Sequence, residues 1–148
     1  MSRTELLAVA VLLLATFTGA GWSGDTVDPI AEGEANLKAG EIDAGLMQFR
    51  KAAEQDPKSS VAQTRIGGAL LLKQEYRPAI EAFRRAIMLD GANADAFIGM
   101  GMAYLHSGDY ALARASLEEA KRIDPVKRVK IDEVIGYIDE RETGGGTH

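Results

Sequence analysis

The sequence repeats itself with a period of 34 residues, and this period constrains the fold more than any single motif does. Three columns illustrate the repeat: Gly40, Gln74 and Gly108; Phe49, Phe83 and Leu117; Asp56, Asp90 and Asp124. The alignment of 26–59, 60–93 and 94–127 needs no gap. A fixed period of this size is typical of arrays in which similar units stack and each unit contacts only its neighbours.

Each unit is predicted to consist of two helices joined by a tight turn. Apolar residues recur at three- and four-residue steps within Val61–Gln74 and Arg77–Asp90, as one face of a helix requires. Gly40 and Gly108 lie where the first helix of a unit ends, a position that favours a left-handed glycine. The second helix is expected to end at Asp-Pro in 56–57 and 124–125, because proline pushes the preceding residue out of helical geometry.

Columns of small residues are predicted to set the packing of the helices. Within a unit, one column of glycines is expected to face a second small column: Gly33, Gly67 and Gly101 against Gly45, Ala79 and Ala113. Between units, the close approach is assigned to Ala52, Ala86 and Ala120. A large side chain in these alanine columns is expected to cost about 1–3 kcal/mol by overpacking.

The third unit carries the clearest signature: Gly101, Tyr104, Ala113, Leu117, Ala120 and Pro125. This order of glycine, aromatic, alanine and proline positions resembles the tetratricopeptide repeat family over roughly 26–127. The resemblance implies an all-α fold, a right-handed superhelical stack of helix-turn-helix repeats (an α-solenoid), with three units in 29–127. The first unit departs from the pattern, since Pro29 replaces a large apolar residue and Gly45 replaces alanine.

The segment after the repeats is predicted to close the stack. Val129–Arg141 places Ile131, Val134, Ile135 and Ile138 on one stripe with acidic residues opposite. A terminal repeat needs a cap with a polar outer face, so 128–141 is interpreted as a capping helix. The alternative is a helix that docks onto a partner. Residues 142–148 are expected to form a disordered tail.

The N-terminus has a different chemistry from the repeats. An apolar run, Leu6–Phe17, follows Arg3 and precedes the small residues 18–20, which fits a secretory signal peptide cut after Ala20. If the run is extended to Trp22, its length instead reaches the lower limit for a hydrophobic helix that crosses a bilayer, and it would then be a single transmembrane anchor. Both readings of 1–21, with 22–28 as linker, predict an exported, periplasmic domain, either soluble after cleavage or anchored in the cytoplasmic membrane.

Charge and composition favour surfaces over catalysis. The net charge is −5 and cysteine is absent, which excludes disulfides and disfavours a nucleic-acid role. A basic stripe on the outer helices (Arg50, Lys51, Arg84 and Arg85, with Lys127, Arg128 and Lys130 nearby) is interpreted as a solvated, salt-paired surface, with anionic lipid contact as the alternative. His106 and His148 are the only histidines, and no catalytic arrangement surrounds them. We therefore predict no enzyme, cofactor or metal.

The resemblance further implies a concave groove lined by the first helix of each unit. Its lining residues are Ile30, Glu34, Leu37, Thr64, Gly68, Leu71, Ile98, Met102, Leu105 and His106. The row of Leu37, Leu71 and Leu105 also fits a purely structural role in the core. An apolar groove of this kind favours a helix or apolar peptide as ligand.

One subtype of the family binds acidic chaperone tails through a clamp of lysine, asparagine and arginine. The matching positions here are Ile30, Glu34, Arg65, Asp95 and Gly99, so that clamp is absent. The function expected from the sequence is a non-catalytic adaptor that assists assembly or stability of a complex. A permanent accessory subunit of a membrane complex and an assembly factor for exported proteins such as c-type cytochromes are the alternatives, and self-association is left open.

Overall fold

The computed structural model describes residues 27–144, and within that range the chain is a row of α-helices. Their bounds are α1 (Pro29–Lys38), α2 (Ile42–Gln55), α3 (Ser60–Leu72), α4 (Tyr76–Leu89), α5 (Ala94–His106), α6 (Tyr110–Ile123) and α7 (Arg128–Gly144), with a 3-10 turn at Pro125–Lys127. The hairpins α1–α2, α3–α4 and α5–α6 stack on one another, and α7 packs against α6. The predicted all-α repeat fold is confirmed; the predicted N-terminal hydrophobic helix lies outside the described residues.

The turn inside each hairpin depends on one left-handed residue. Gly40 and Gly108 have φ angles of 81° and 82°, a conformation that glycine adopts without a steric penalty. Gln74 occupies the equivalent position in the second unit and takes the same conformation, with φ at 62°. The stacked hairpins therefore impose this turn even where the residue type does not favour it.

The first helix of each unit begins at a polar N-cap. The side chain of Asp28 accepts a hydrogen bond from the backbone N–H of Ile30 at 3.0 Å. Ser59 accepts from Ala62 at 3.1 Å, ahead of α3. These bonds satisfy backbone donors that have no partner inside the helix, and they fix where α1 and α3 start.

Phe83 is the side chain that joins two units most directly. It is 2% exposed and its ring lies against Gly67 of its own unit, where a built Cβ would come within 2.7 Å of the ring. A Cβ at Gly99, in the next unit, would come closer still to the same ring. The ring therefore occupies space that two glycines leave empty, one on α3 and one on α5.

The small-residue columns lie inside the stack. All nine positions are buried: Gly33, Gly45, Gly67, Gly101, Ala52, Ala79, Ala86, Ala113 and Ala120. A Cβ at Gly45 would approach the carbonyl oxygen of Gly33 to 3.0 Å, so these two glycines lie opposite each other between α1 and α2. In the third unit, a Cβ at Gly101 would come within 2.9 Å of Leu117.

Helix α7 is three residues longer than the capping helix expected from the sequence. It continues through Gly144, and the hydroxyl of Thr143 donates to the carbonyl oxygen of Asp139 at 2.8 Å. Ile131, Ile135 and Ile138 are buried on its inner face. The segment expected to be a disordered tail therefore begins with residues that belong to α7, and 145–148 lie outside the described residues.

A partly buried polar network ties the start of α5 to the start of α3. The amide nitrogen of Asn93 donates to the hydroxyls of Ser60 at 2.6 Å and Thr64 at 2.9 Å, while its oxygen accepts from the backbone of Ala96 at 2.9 Å. Ser60 in turn donates to the carbonyl oxygen of Ala86 at 3.0 Å. Asn93 is thus both the N-cap of α5 and a link between units.

Replacing Asn93 with alanine is expected to lower the free energy of unfolding by about 1–2 kcal/mol, since the α5 cap is lost. Asn93→Asp is the matched control, because it keeps the oxygen that caps α5 and lacks the nitrogen that bonds to α3. Urea denaturation of both variants separates the two roles. If Asn93→Ala unfolds at the wild-type urea concentration, the network contributes nothing to stability.

Candidate functional site

The structure sorts the predicted groove residues by exposure. Those that are half-buried on the inner rows of α1, α3 and α5 are Ile30, Glu34, Leu37, Gly68, Leu71, Ile98, Met102 and Leu105. All the apolar members except one pack against the core. Those that do so are Ile30, Leu37, Leu71, Ile98 and Leu105. Met102 lies outside that cluster. Among the predicted apolar lining residues, Met102 is therefore the one whose side chain packs least against the core.

Thr64 has a different place from the one a groove residue needs. It is 8% exposed, its hydroxyl accepts from Asn93, and it donates to the carbonyl oxygen of Ser60 at 2.9 Å. A side chain whose hydrogen bonds are all internal has little left to offer a ligand. Thr64 belongs to the structural network between α3 and α5.

The charged groove residues are paired with each other. Glu34 on α1 accepts from Arg65 on α3 at 2.7 Å, so this carboxylate is neutralised across the groove. Asp95 at the start of α5 accepts from Lys127, and that hydrogen bond raises the pKa of the Lys127 ammonium. The acids at positions where a carboxylate-binding clamp would need cations are therefore held in ion pairs.

His106 lies at the exposed end of α5. Its ring stacks on that of Tyr76 in α4, with 5.5 Å between ring centroids and 8° between ring planes. This contact orients the imidazole at the rim of the groove, within the geometry usual for aromatic pairs. The sequence placed His106 at the groove edge, whereas its aromatic partner became visible only in the structure.

A channel runs between α5 and α7, and it is the main concave feature of the groove. One cavity of about 620 Å³ is lined by Met102, Leu105, His106, Tyr110, Val134 and Tyr137, among others. A second of about 280 Å³ is lined by Ile98, Met102, Leu117, Lys130, Ile131 and Val134, together with Lys127. Met102 and Val134 line both cavities, so the two are parts of one channel.

The channel exists because α7 departs from a column of small residues. Ala96 and Ala103 of α5 are fully buried, and α5 lies close against α3. One repeat later, the same column positions on α7 carry Lys130 and Tyr137. Both side chains line the channel, and the backbones of α5 and α7 do not approach each other as α3 and α5 do.

The α7 wall is the part of the site that sequence reasoning missed. The sequence predicts a capping helix, with a helix that docks onto a partner as the alternative, and neither interpretation places residues of α7 in the groove. The signal was nevertheless present, because α7 starts 34 residues after α5 and continues the repeat register as a first helix without a second. Reading that register onward would have revealed Tyr137 in place of alanine.

Comparison with known proteins identifies the repeat. Two family models, both described as tetratricopeptide repeat, match residues 30–94 and 70–130, and together they cover 30–130. The chain belongs to the tetratricopeptide repeat family. Members of this family are in general non-catalytic scaffolds, and their fold is that of a module that binds other proteins or peptides.

The curated relatives that match this chain are much longer than it is. Anaphase-promoting complex subunit 3 of Schizosaccharomyces pombe is 32% identical over 96 residues, and protein bimA of Emericella nidulans is 29% identical over 89. These alignments cover 65% and 60% of this chain but 14% and 11% of those proteins. The similarity therefore concerns the repeat array alone.

Solved structures with the same fold include MamA and repeat domains in complex with chaperone ligands. MamA shares 25% identity at a TM-score of 0.71, covering 78% of this chain and 67% of its own. The first TPR of Spaghetti bound to an HSP90 peptide is 17% identical in sequence, with a TM-score of 0.74, and the match covers 78% of this chain and 90% of that domain. The TPR2B domain of yeast Sti1 in its pHsp70 complex is 18% identical, with a TM-score of 0.74, and the match covers 76% of this chain and 94% of that domain. Because the sequence identity of the last two is low, their similarity shows only that the fold is shared.

Two further observations concern residues 27–144. No helix there combines the length and the apolar content that a membrane span requires. In the same range no three acidic, histidine or cysteine side chains come together in a way that would hold a metal ion. The predicted signal peptide or anchor in 1–21 lies outside the described residues.

Proposed function

We propose that this chain is a docking module on the exported side of a membrane, and that it binds a helix or apolar segment of a partner protein in the α5–α7 channel. Binding without turnover would assist the assembly or stability of the partner's complex. The observation that carries the proposal is Met102: it lines both cavities of the channel yet does not pack against the core.

The apolar part of the channel lining suits an apolar ligand with some freedom of shape, and it is flanked by the charged side chains of Glu133, Arg141, Lys127 and Lys130. Met102, Val134 and Leu105 supply apolar contacts, and methionine adapts to partners of different outline. Tyr110 and Tyr137 add aromatic area with a hydroxyl that can bond at the rim. A helix lying in the channel and along the inner face would bury about 600–800 Å² on each side, which suits a specific but reversible contact.

The charges of the groove favour this ligand over an acidic chaperone tail. Two of the similar structures contain chaperone ligands: an HSP90 peptide in that of Spaghetti, and pHsp70 in that of Sti1. Here Glu34 and Asp95 occupy positions that a carboxylate clamp needs, and Gly99 lies against the ring of Phe83. An arginine at position 99 would have to displace that ring, so the packing itself opposes such a clamp.

The exported location rests on the sequence of the first 22 residues. Leu6–Phe17 has the composition of a signal peptide core or a short membrane anchor. Either would deliver the repeats to the same side of the membrane. Periplasmic placement is therefore part of the proposal, and the experiment below tests it together with partner binding.

The test is purification of a C-terminally tagged full-length chain from its own membranes in mild detergent, followed by mass spectrometry. We expect exported or membrane proteins to co-purify. An N-terminal peptide starting at Met1 or Ser2 would indicate an anchored chain, and one starting near Gly21 a cleaved chain. Recovery of an intact N-terminus in the soluble fraction, with cytoplasmic partners only, would overturn the proposed location.

A further inference from the structure

Exposed apolar side chains concentrate on one edge of the helical stack. This edge, the capping-turn edge, is where α1, α3, α5 and α7 begin and where α2, α4 and α6 end. Its exposed apolar residues are Val27, Val61, Met88, Leu89, Val126 and Val129. Val126 is 91% exposed and Met88 is 85% exposed. Such a concentration on one surface marks a contact with something outside the chain.

The turns of this edge are neighbours in space. Asn93, before α5, donates to Ser60 at the start of α3 at 2.6 Å. One repeat further, Lys127 before α7 donates to Asp95 at the start of α5. Val61 therefore lies beside the turn that follows Met88 and Leu89, and Val126 lies beside the start of α5. The apolar side chains share one edge and are not scattered.

At the C-terminal end of this edge, apolar and basic residues alternate. The segment Val126–Lys130 reads Val-Lys-Arg-Val-Lys, and Val129 is 71% exposed. Lys127 is tied to Asp95, whereas Arg128 is exposed and reaches Asp132 only at 3.5 Å. Lys130 is exposed and has no ion pair within residues 27–144. Two valines thus lie among cations that are available to an outside ligand.

The acidic residues of the edge are occupied by the backbone. Asp56, Asp90 and Asp124 each accept a backbone N–H two residues later, at 3.1, 2.9 and 3.1 Å. Asp28 caps α1 in the same way. These hydrogen bonds hold the turns of the edge together. The exposed basic side chains of the edge are Lys58, in the turn between α2 and α3, and Arg128 and Lys130 at the C-terminal end, where they flank Val129.

We propose that the capping-turn edge lies on an anionic bilayer surface, with Val126 and Val129 among the headgroups and Arg128 and Lys130 against lipid phosphates. Alternating apolar and basic side chains suit an interface, where the apolar parts enter and the charged ends remain in contact with phosphate. The described chain also begins on this edge, at Val27, directly after the segment that contains the apolar run Leu6–Phe17. This inference rests on the proposed membrane location.

The experiment uses the absence of cysteine from the chain. Single cysteines in the full-length protein, at Val126→Cys and Val129→Cys, carry a polarity-sensitive fluorophore. Leu72→Cys is the matched control, since Leu72 is 57% exposed and ends α3 on the opposite edge. The labelled chains are reconstituted into vesicles of phosphatidylglycerol and phosphatidylcholine, or of phosphatidylcholine alone, that contain quencher-bearing lipids.

We expect blue-shifted, quenched emission at positions 126 and 129 in the anionic vesicles and solvent-like emission at position 72. Arg128→Ser with Lys130→Ser should lower the docking equilibrium constant about 30-fold, since each basic residue near an anionic surface contributes a factor of about five. Arg50→Ser with Lys51→Ser, an exposed basic pair on α2, should leave docking unchanged.

Equal quenching at all three positions, or at none of them, contradicts the proposal that the capping-turn edge docks on the bilayer. If the chain floats with the vesicles while the labels at 126 and 129 stay in water, docking fails and the proposed membrane location stands. If the chain does not float at all, docking and the anchored form of the proposed location both fail, and only the cleaved, soluble form remains for the purification experiment to test. Partner binding through Met102 is measured in detergent without vesicles, so its outcome is independent of this one.

Discussion

Met102→Glu is expected to weaken partner binding by about 100-fold or more while leaving the fold intact. A carboxylate at position 102 would lie under an apolar ligand, and taking a charge out of water costs several kcal/mol even where a lysine lines the same cavity. The free protein should tolerate the change, because Met102 is half-buried and lies outside the packed core. Its effect on the free energy of unfolding should stay within about 0.5–1 kcal/mol.

The measurement compares co-purification of the partner by the wild type and by two glutamate variants. Met47→Glu is the matched control, since Met47 is 63% exposed on α2, away from the channel. It should bind like the wild type. Urea denaturation of both variants accompanies the binding assay. If Met102→Glu binds normally, the channel is not the site; if it unfolds at much lower urea, Met102 is a core residue.

Phe83→Ala is expected to lower the free energy of unfolding by about 3–5 kcal/mol. The ring is 2% exposed and fills the space above Gly67 and beside Gly99, so its loss opens a cavity between two units. Neither glycine has a side chain that can move into that space. The cost should therefore lie toward the upper part of the range, because the site cannot collapse.

Chemical denaturation monitored by helical circular dichroism tests this expectation. Met88→Ala is the control on the same helix, since Met88 is 85% exposed and its loss removes little packing. It should change stability by no more than about 0.5 kcal/mol. Equal loss of stability in the two variants would mean that Phe83 does not hold the second and third units together.

Much of the fold follows from the 34-residue period and from a few residues with one dominant conformational preference. Gly40 and Gly108 locate the hairpin turns, because the left-handed conformation they adopt is open to glycine at no cost. Gln74 has no such preference, and only its column position indicated the same turn. The repeat register supplied what the residue type did not.

The candidate site was predictable to the extent that it lies on the repeated helices. The inner rows of α1, α3 and α5 could be read from column positions, and Met102 was among them. Thr64 could not be assigned, because its burial depends on Asn93, 29 residues away. Val134 and Tyr137 were missed as ligand contacts, because a capping helix shows from sequence only which stripe it buries.

The sequence by itself determined the helical repeat, its turns and the small columns inside it, because each of these depends on local conformational preference and on a fixed period. Only the tertiary structure decided which groove side chains remain available to a ligand. Ile98 and Leu105 are as apolar as Met102, yet they pack against the core and Met102 does not. Whether a side chain packs against the core depends on contacts between helices that are distant in sequence, and neither local conformational preference nor a fixed period encodes those contacts.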